Sequence, residues 1–235
     1  MTEYVDQDFY DDLVQSFGPP QHVTYPTQEH LDYWEGRVPP LILQYWQEEG
    51  WGSLSKGQYW TCDPEFLRPV MEQVFAGDPQ YSAEDLIPFG YNALGMIDVA
   101  MGQGRSMTID LVFGTVTWRA PDAKFPESEF LGVYYSRING GAYRLDWNDE
   151  DGIPLFPWAL ENLGELGHGE IYGFTPAYSV SGDYPVRNLS KQPIIEHLVM
   201  LASLSPPTLY DYVAPEGEEG GFGALVPVRK VGAQP

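Results

Sequence analysis

Apolar residues at one-face helical spacing, Leu41, Ile42, Tyr45 and Trp46, follow Pro39-Pro40 and predict a short helix that closes at Gly50. Glu48 and Glu49 fall in its last turn, on the unfavourable end of the helix dipole, so helix stability does not explain their placement. Beyond the glycine, Trp51-Gly52-Ser53 and Tyr59-Trp60-Thr61 flank a Lys56-Gly57 turn, which predicts a hairpin. Asp63-Pro64 signals a tight turn to Phe66. A helix from about Leu67 follows, with Val70, Met71, Val74 and Phe75 inward and Pro69 tolerated only near its start.

The same reading extends to both ends. Val5, Phe9, Leu13, Val14 and Phe17, set among Asp6, Asp8, Asp11 and Asp12, predict an acidic amphipathic helix over Tyr4 to Phe17. Thr27 can cap a helix from Gln28 to Trp34. From Leu86 to Trp118, apolar β-formers broken by glycines predict a small antiparallel sheet, with a turn at Met101-Gly102-Gln103-Gly104. Pro121 to Glu129 is polar and proline-bearing, the best linker in the chain, and sets a boundary at about Ala120. Further on, Leu131 to Tyr135 reads as strand or helix, Asn139-Gly140-Gly141 as a turn and Ala142 to Trp147 as a strand. Leu155 to Leu163 reads as a helix, Gly169 to Pro176 as a strand, and Ser190 to Pro193 as the opening of a last helix expected to bury Ile194, Ile195, Leu198, Leu201, Ala202 and Leu204. From Ala214 the composition turns glycine-rich and polar, so residues 214–235 are expected to be a flexible tail.

Thirty-four acidic against 12 basic residues give a formal charge of −22, and a field of that sign repels phosphate backbones, so direct nucleic-acid binding is not expected. On composition alone the charge suits a solvated cytosolic protein first, and it also suits one that meets a cationic partner surface. Sixteen acidic residues precede residue 86, against Arg37, Lys56 and Arg68, so the first third carries most of the excess. Cys62 is the single cysteine, which forbids an internal disulfide and fits a reducing cytoplasm. No apolar run is long enough to span a membrane, and no export signal is read at the N-terminus.

Candidate chemistry is sparse. His22, His30, His168 and His197 have no metal-ligand spacing, and Cys62 and the serines sit in no nucleophile motif, so neither a catalytic residue nor a cofactor or metal is expected. The loop Trp147-Asn148-Asp149-Glu150-Asp151-Gly152 fails the calcium-loop pattern: its glycine is one position late and Pro157 stands where a bidentate Glu is needed. Adjacent Glu196 and His197 point to different helix faces, with His197 at a core edge. Paired carboxylates meeting only in the fold leave open a carbohydrate-active or ligand-binding module.

Phe17-Gly18-Pro19-Pro20, Tyr25-Pro26-Thr27, Arg37-Val38-Pro39-Pro40, Gly77-Asp78-Pro79, Phe89-Gly90-Tyr91-Asn92 and Met101-Gly102-Gln103-Gly104 together resemble the GAD-like domain of bacterial proteins. Glu170, Tyr172-Gly173-Phe174-Thr175-Pro176-Ala177 and Glu196-His197-Leu198 to Leu204 resemble the domain often found behind it, in the C-terminal half of type VI secretion immunity proteins. The resemblance implies two domains, 1–120 and 121–213, in an immunity protein that silences an injected DNase effector as a one-to-one complex. The GAD-like name also marks similarity to a domain of tRNA-charging enzymes and amidotransferases, but the negative charge argues against RNA contact.

The expected fold is α+β, two intimately packed parts with small antiparallel sheets and short flanking helices. The expected toxin contacts, chosen for exposed negative charge with one ring beside it, are Asp11, Asp12, Glu48, Glu49, Trp51, Asp149, Glu150 and Asp151.

Overall fold

In the computed structural model the described residues are 19–101, 105–119, 146–213 and 224–233. The helix expected over Tyr4 to Phe17, the Gly102 to Gly104 turn, the Pro121 to Glu129 linker with the boundary at Ala120, the 131–145 segments and residues 214–223 lie outside them.

Thr27 caps α1 (Gln28–Trp34) by accepting from the His30 N–H at 3.3 Å, and α2 (Pro40–Glu48) opens on the expected prolines. Asp63 accepts from the Glu65 N–H at 3.0 Å in a 3-10 turn, Pro64–Leu67, that feeds α3 (Arg68–Val74). Pro69 sits in the first turn of α3, where no intrahelical N–H is missed.

The class is α+β, with eleven described strands. One sheet runs β1 (Gln21–Thr24), β2 (Trp51–Leu54), β3 (Tyr59–Thr61), β4 (Ile87–Asn92), β5 (Ile97–Ala100), β6 (Ser106–Asp110), β7 (Thr115–Arg119), then β10 (Thr208–Val213) and β11 (Ala224–Lys230). All neighbours in it are antiparallel except β7 and β10, which run parallel, so the chain returns from its second part to extend the sheet of the first. β8 (Glu170–Phe174) and β9 (Leu189–Pro193) form a separate antiparallel pair.

Helices cover both faces of the large sheet. On one, Trp34 of α1 and Leu41, Ile42, Tyr45 and Trp46 of α2 pack on Leu54, Tyr59, Ile87 and Phe89. On the other, α3, α4 (Leu155–Leu163), α6 (Ile194–Leu204) and the β8–β9 pair bury Trp60, Tyr91, Ile97, Val99 and Ile109. The register shifts between Pro88 and Gly90 of β4, so Phe89 and Tyr91, two positions apart, belong to opposite faces. The two parts interlock: a Cβ at Gly95 would lie 3.0 Å from both Ile171 Cδ1 and Leu198 Cδ2. A four-residue helix, α5 (Tyr178–Ser181), links β8 to β9.

Two expectations change. Leu189–Pro193 is strand β9, and the last helix starts at Ile194, after the proline. Within the expected tail, Ala224–Lys230 is a strand paired along the whole of β10, and Val231 is buried. Glycine content dominated that expectation, yet the segment LVPVRKV after the glycines contains three valines, residues that favour strands.

Candidate functional site

The acidic end of α2 is built on a glycine. The Gly50 N–H donates to Tyr45 O and Trp46 O at 3.3 and 3.1 Å with φ at +77°, closing the helix in the left-handed region. A Cβ there would lie 2.6 Å from Val23 Cγ1 and 3.2 Å from Tyr25 Cδ1, so β1 and the Tyr25 ring are seated directly against the turn. Glu48 is exposed and accepts from the Gln44 amide at 2.9 Å; Glu49 is half-buried. Burial first, and then the Glu49 charge, push the Tyr45 hydroxyl well above its ordinary pKa.

Tyr25 is 62% exposed beside these carboxylates. It leads through Pro26 into α1, whose exposed face carries Glu29 and Asp32, with Glu35 at its C-cap. Between residues 19 and 85, only Glu65 and Asp78 among the carboxylates are in ion pairs, with Arg68 and Arg229. The rest of the front leaves its charge to solvent or to a partner.

Trp51 is not the exposed ring expected beside Glu48 and Glu49. As the first residue of β2 it is buried, edge-on to Trp46 at 5.8 Å and tilted against His30 at 5.9 Å. The hairpin after Gly50 turns inward, and the exposed aromatic is Tyr25. That position was readable: a residue two before the Thr27 cap stands outside the helix and need not share its buried face.

Asp149 is likewise not a solvated carboxylate. Its Oδ1 accepts from the Asp151 and Ile153 N–H groups at 3.0 and 2.9 Å, and Oδ2 from the Val186 N–H at 3.2 Å. Desolvation raises its pKa, but these donors and the Arg187 charge outweigh it and leave the carboxyl below its ordinary range. Glu150 and Asp151 are exposed. The loop lies beside the β6–β7 turn, where Phe113 meets Trp147 at 5.1 Å. From β2 that is four or five strand spacings, roughly 20 Å, so this loop and the Glu48–Glu49 turn are separate patches. Asp11 and Asp12 lie outside the described residues.

A cleft of about 490 Å³, not expected from the sequence, lies between the C-terminal end of α1 and the segment 80–87. Arg37, Arg68 and Arg105 line it together with Tyr33 and Tyr81. Its one local signal is the four-residue spacing of Tyr33 and Arg37, which places the guanidinium 4.2 Å above the ring.

Among the described residues, no group of three His, Cys, Asp or Glu is placed to hold a metal ion. His197 is buried against β8, where a Cβ at Gly173 would lie 2.5 Å from its Nε2, and burial lowers its pKa. Cys62 is buried, and desolvation with the neighbouring Asp63 charge pushes its thiol far up, which removes thiolate chemistry at neutral pH. No described helix is long and apolar enough to cross a membrane.

Residues 8–113 match the GAD-like domain family, and residues 142–205 match the family of the T6SS immunity protein Tdi1, C-terminal. No match is found among curated proteins. Among solved structures, the crystal structure of Atu4351 from Agrobacterium tumefaciens is 24% identical, with a TM-score of 0.81 over 94% of this chain and 97% of that one. That likeness shows a shared fold. The chain carries a GAD-like domain followed by a domain that matches the Tdi1 immunity-protein family, and the second match supports an immunity-protein role.

Proposed function

We propose that this chain is an immunity protein whose effector is a DNase, and that binding occludes the effector's active site or DNA-binding surface in a one-to-one complex formed in the cytoplasm. The carrying observation is the front of unneutralised carboxylates around the Glu48–Glu49 turn, with Tyr25 exposed beside it. A nuclease must present a cationic surface to its substrate, and a dense acidic front is the complement of such a surface.

Carboxylates steer the encounter over about a Debye length, roughly 8 Å at physiological ionic strength, and speed association. A ring such as Tyr25, seated in a pocket of the partner, slows release. Glu48 and Glu49 make the first contact in this account, with Asp11 and Asp12 adding to the charge of the same part of the chain. Glu150 and Asp151 give a second patch, within reach of a standard interface of about 800 Å² per partner only if both patches face it. Trp51 and Asp149 act from inside, by holding the α2 turn and the acidic loop in shape. The complex needs no turnover by this chain.

The test is co-expression with a candidate effector encoded beside it. The proposal expects restored growth, intact chromosomal DNA and co-purification at equal stoichiometry. Growth rescue from an effector that leaves DNA intact in the unprotected cell would overturn the DNase assignment while keeping the immunity role.

A further inference from the structure

The whole chain has only 12 basic residues, yet three arginines converge on the one cleft described above. Their roles differ. Arg68 is committed to structure: its guanidinium donates to Ala83 O, to Leu86 O at 3.3 Å and to Glu65 Oε1 at 2.9 Å, which fixes the wall formed by residues 83–86. Arg37 is exposed and stacked on Tyr33, an arrangement that occupies the face of the guanidinium and leaves its in-plane N–H edge available. The Arg105 Nε is buried without a hydrogen-bond partner among the described residues. A buried unsatisfied donor is costly, more so when charged, and an acceptor brought in by a ligand would remove that cost.

We propose that this cleft is a binding site for a small organic anion, a phosphate or carboxylate on a planar body, clamped between Arg37 and Arg105. Guanidinium forks match both anions with paired hydrogen bonds, and the flanking Tyr33 and Tyr81 rings offer surface for an aromatic or apolar body. About 490 Å³ is the size of small-molecule sites and larger than a bare anion requires. The net negative charge of the protein does not prevent this, because at physiological salt the distant carboxylates are screened and the guanidinium groups in contact are not. Glu84 and Asp85, also on the lining, are exposed and oppose a long polyanion such as DNA. This site is independent of the toxin reading.

The test titrates the full chain alone, without toxin, by calorimetry at physiological salt with inorganic phosphate, adenosine monophosphate and indole-3-carboxylate. The expected result is binding of at least one of the two planar anions at millimolar affinity or better, weakened about tenfold or more in both Arg37→Gln and Arg105→Gln, with Lys56→Gln unchanged. Arg37 is exposed, so its variant keeps the test valid if Arg105→Gln folds poorly. Binding of inorganic phosphate alone, no heat from any probe up to about 10 mM, or equal affinity in the arginine variants would overturn the proposal.

Discussion

Asp78 and Arg229, 151 positions apart, meet in a two-pronged ion pair, Nη1 to Oδ2 at 2.6 Å and Nη2 to Oδ1 at 2.8 Å. The same carboxylate accepts from the Gly232, Gln80 and Tyr81 N–H groups, so the end of β11 is tied to the turn after α3. Desolvation opposes ionisation of Asp78, but Arg229 and the three amides outweigh it and hold its pKa at about 2. A carboxyl held below its unfolded value stabilises the fold above the unfolded pKa, and that stability is lost as pH falls toward the folded one.

Asp78→Asn is therefore expected to lose about 2 kcal/mol at pH 7 and almost nothing near pH 2. Urea unfolding at the two pH values checks it. An equal loss at both would show that packing, and not ionisation, holds the end of β11.

Asp110 works in the opposite direction. Burial raises its pKa to about 6 in spite of N–H donation from Phe113 and Val112. A raised carboxyl pKa costs stability above that value, and the cost fades as pH falls through the unfolded value near 4. Asp110→Asn, whose amide oxygen can still accept from the Phe113 N–H, should gain roughly 3 kcal/mol at pH 7.5 and under about 1 kcal/mol at pH 4. A gain independent of pH would contradict this.

Trp51 and Tyr25 separate core from surface. Trp51→Ala should cost about 3–5 kcal/mol of stability, as a truncated core ring does. Tyr25→Ala should stay within about 0.5 kcal/mol in stability while weakening toxin affinity about tenfold or more. Thermal melts and calorimetry with the effector read the two effects separately.

The acidic loop divides in the same way. Removing the acceptor of three backbone N–H groups, Asp149→Ala should lose about 1–3 kcal/mol, whereas Glu150→Ala and Asp151→Ala should change stability by less than about 0.5 kcal/mol. Comparable losses at all three positions would refute the role given to Asp149.

Local rules carried much of this architecture. The Thr27 cap, the prolines opening α2, the Gly50 closure and the Asp63 turn each depend on a few neighbouring residues, and the α+β class follows from them. What is decided by distant pairing was not legible. The parallel contact of β10 with β7 joins residues far apart in sequence, and β11 is a strand because β10 offers it an edge. Two of the candidate contacts were misplaced for the same reason: Asp149 and Trp51 were expected to be exposed, but Asp149 finds Val186 and Trp51 finds Trp46 only in the folded chain. The arginine cleft assembles from three separate stretches, and no spacing rule links them.

The most direct test of the central claim, that the acidic front steers the toxin, is the association rate of Glu48→Lys/Glu49→Lys with the cognate effector at low and high salt. The account predicts association slower by about tenfold or more at low salt, with the difference shrinking as screening rises, and little change in thermal stability. Association rates equal to the wild type at both salt concentrations would place the contact elsewhere and contradict it.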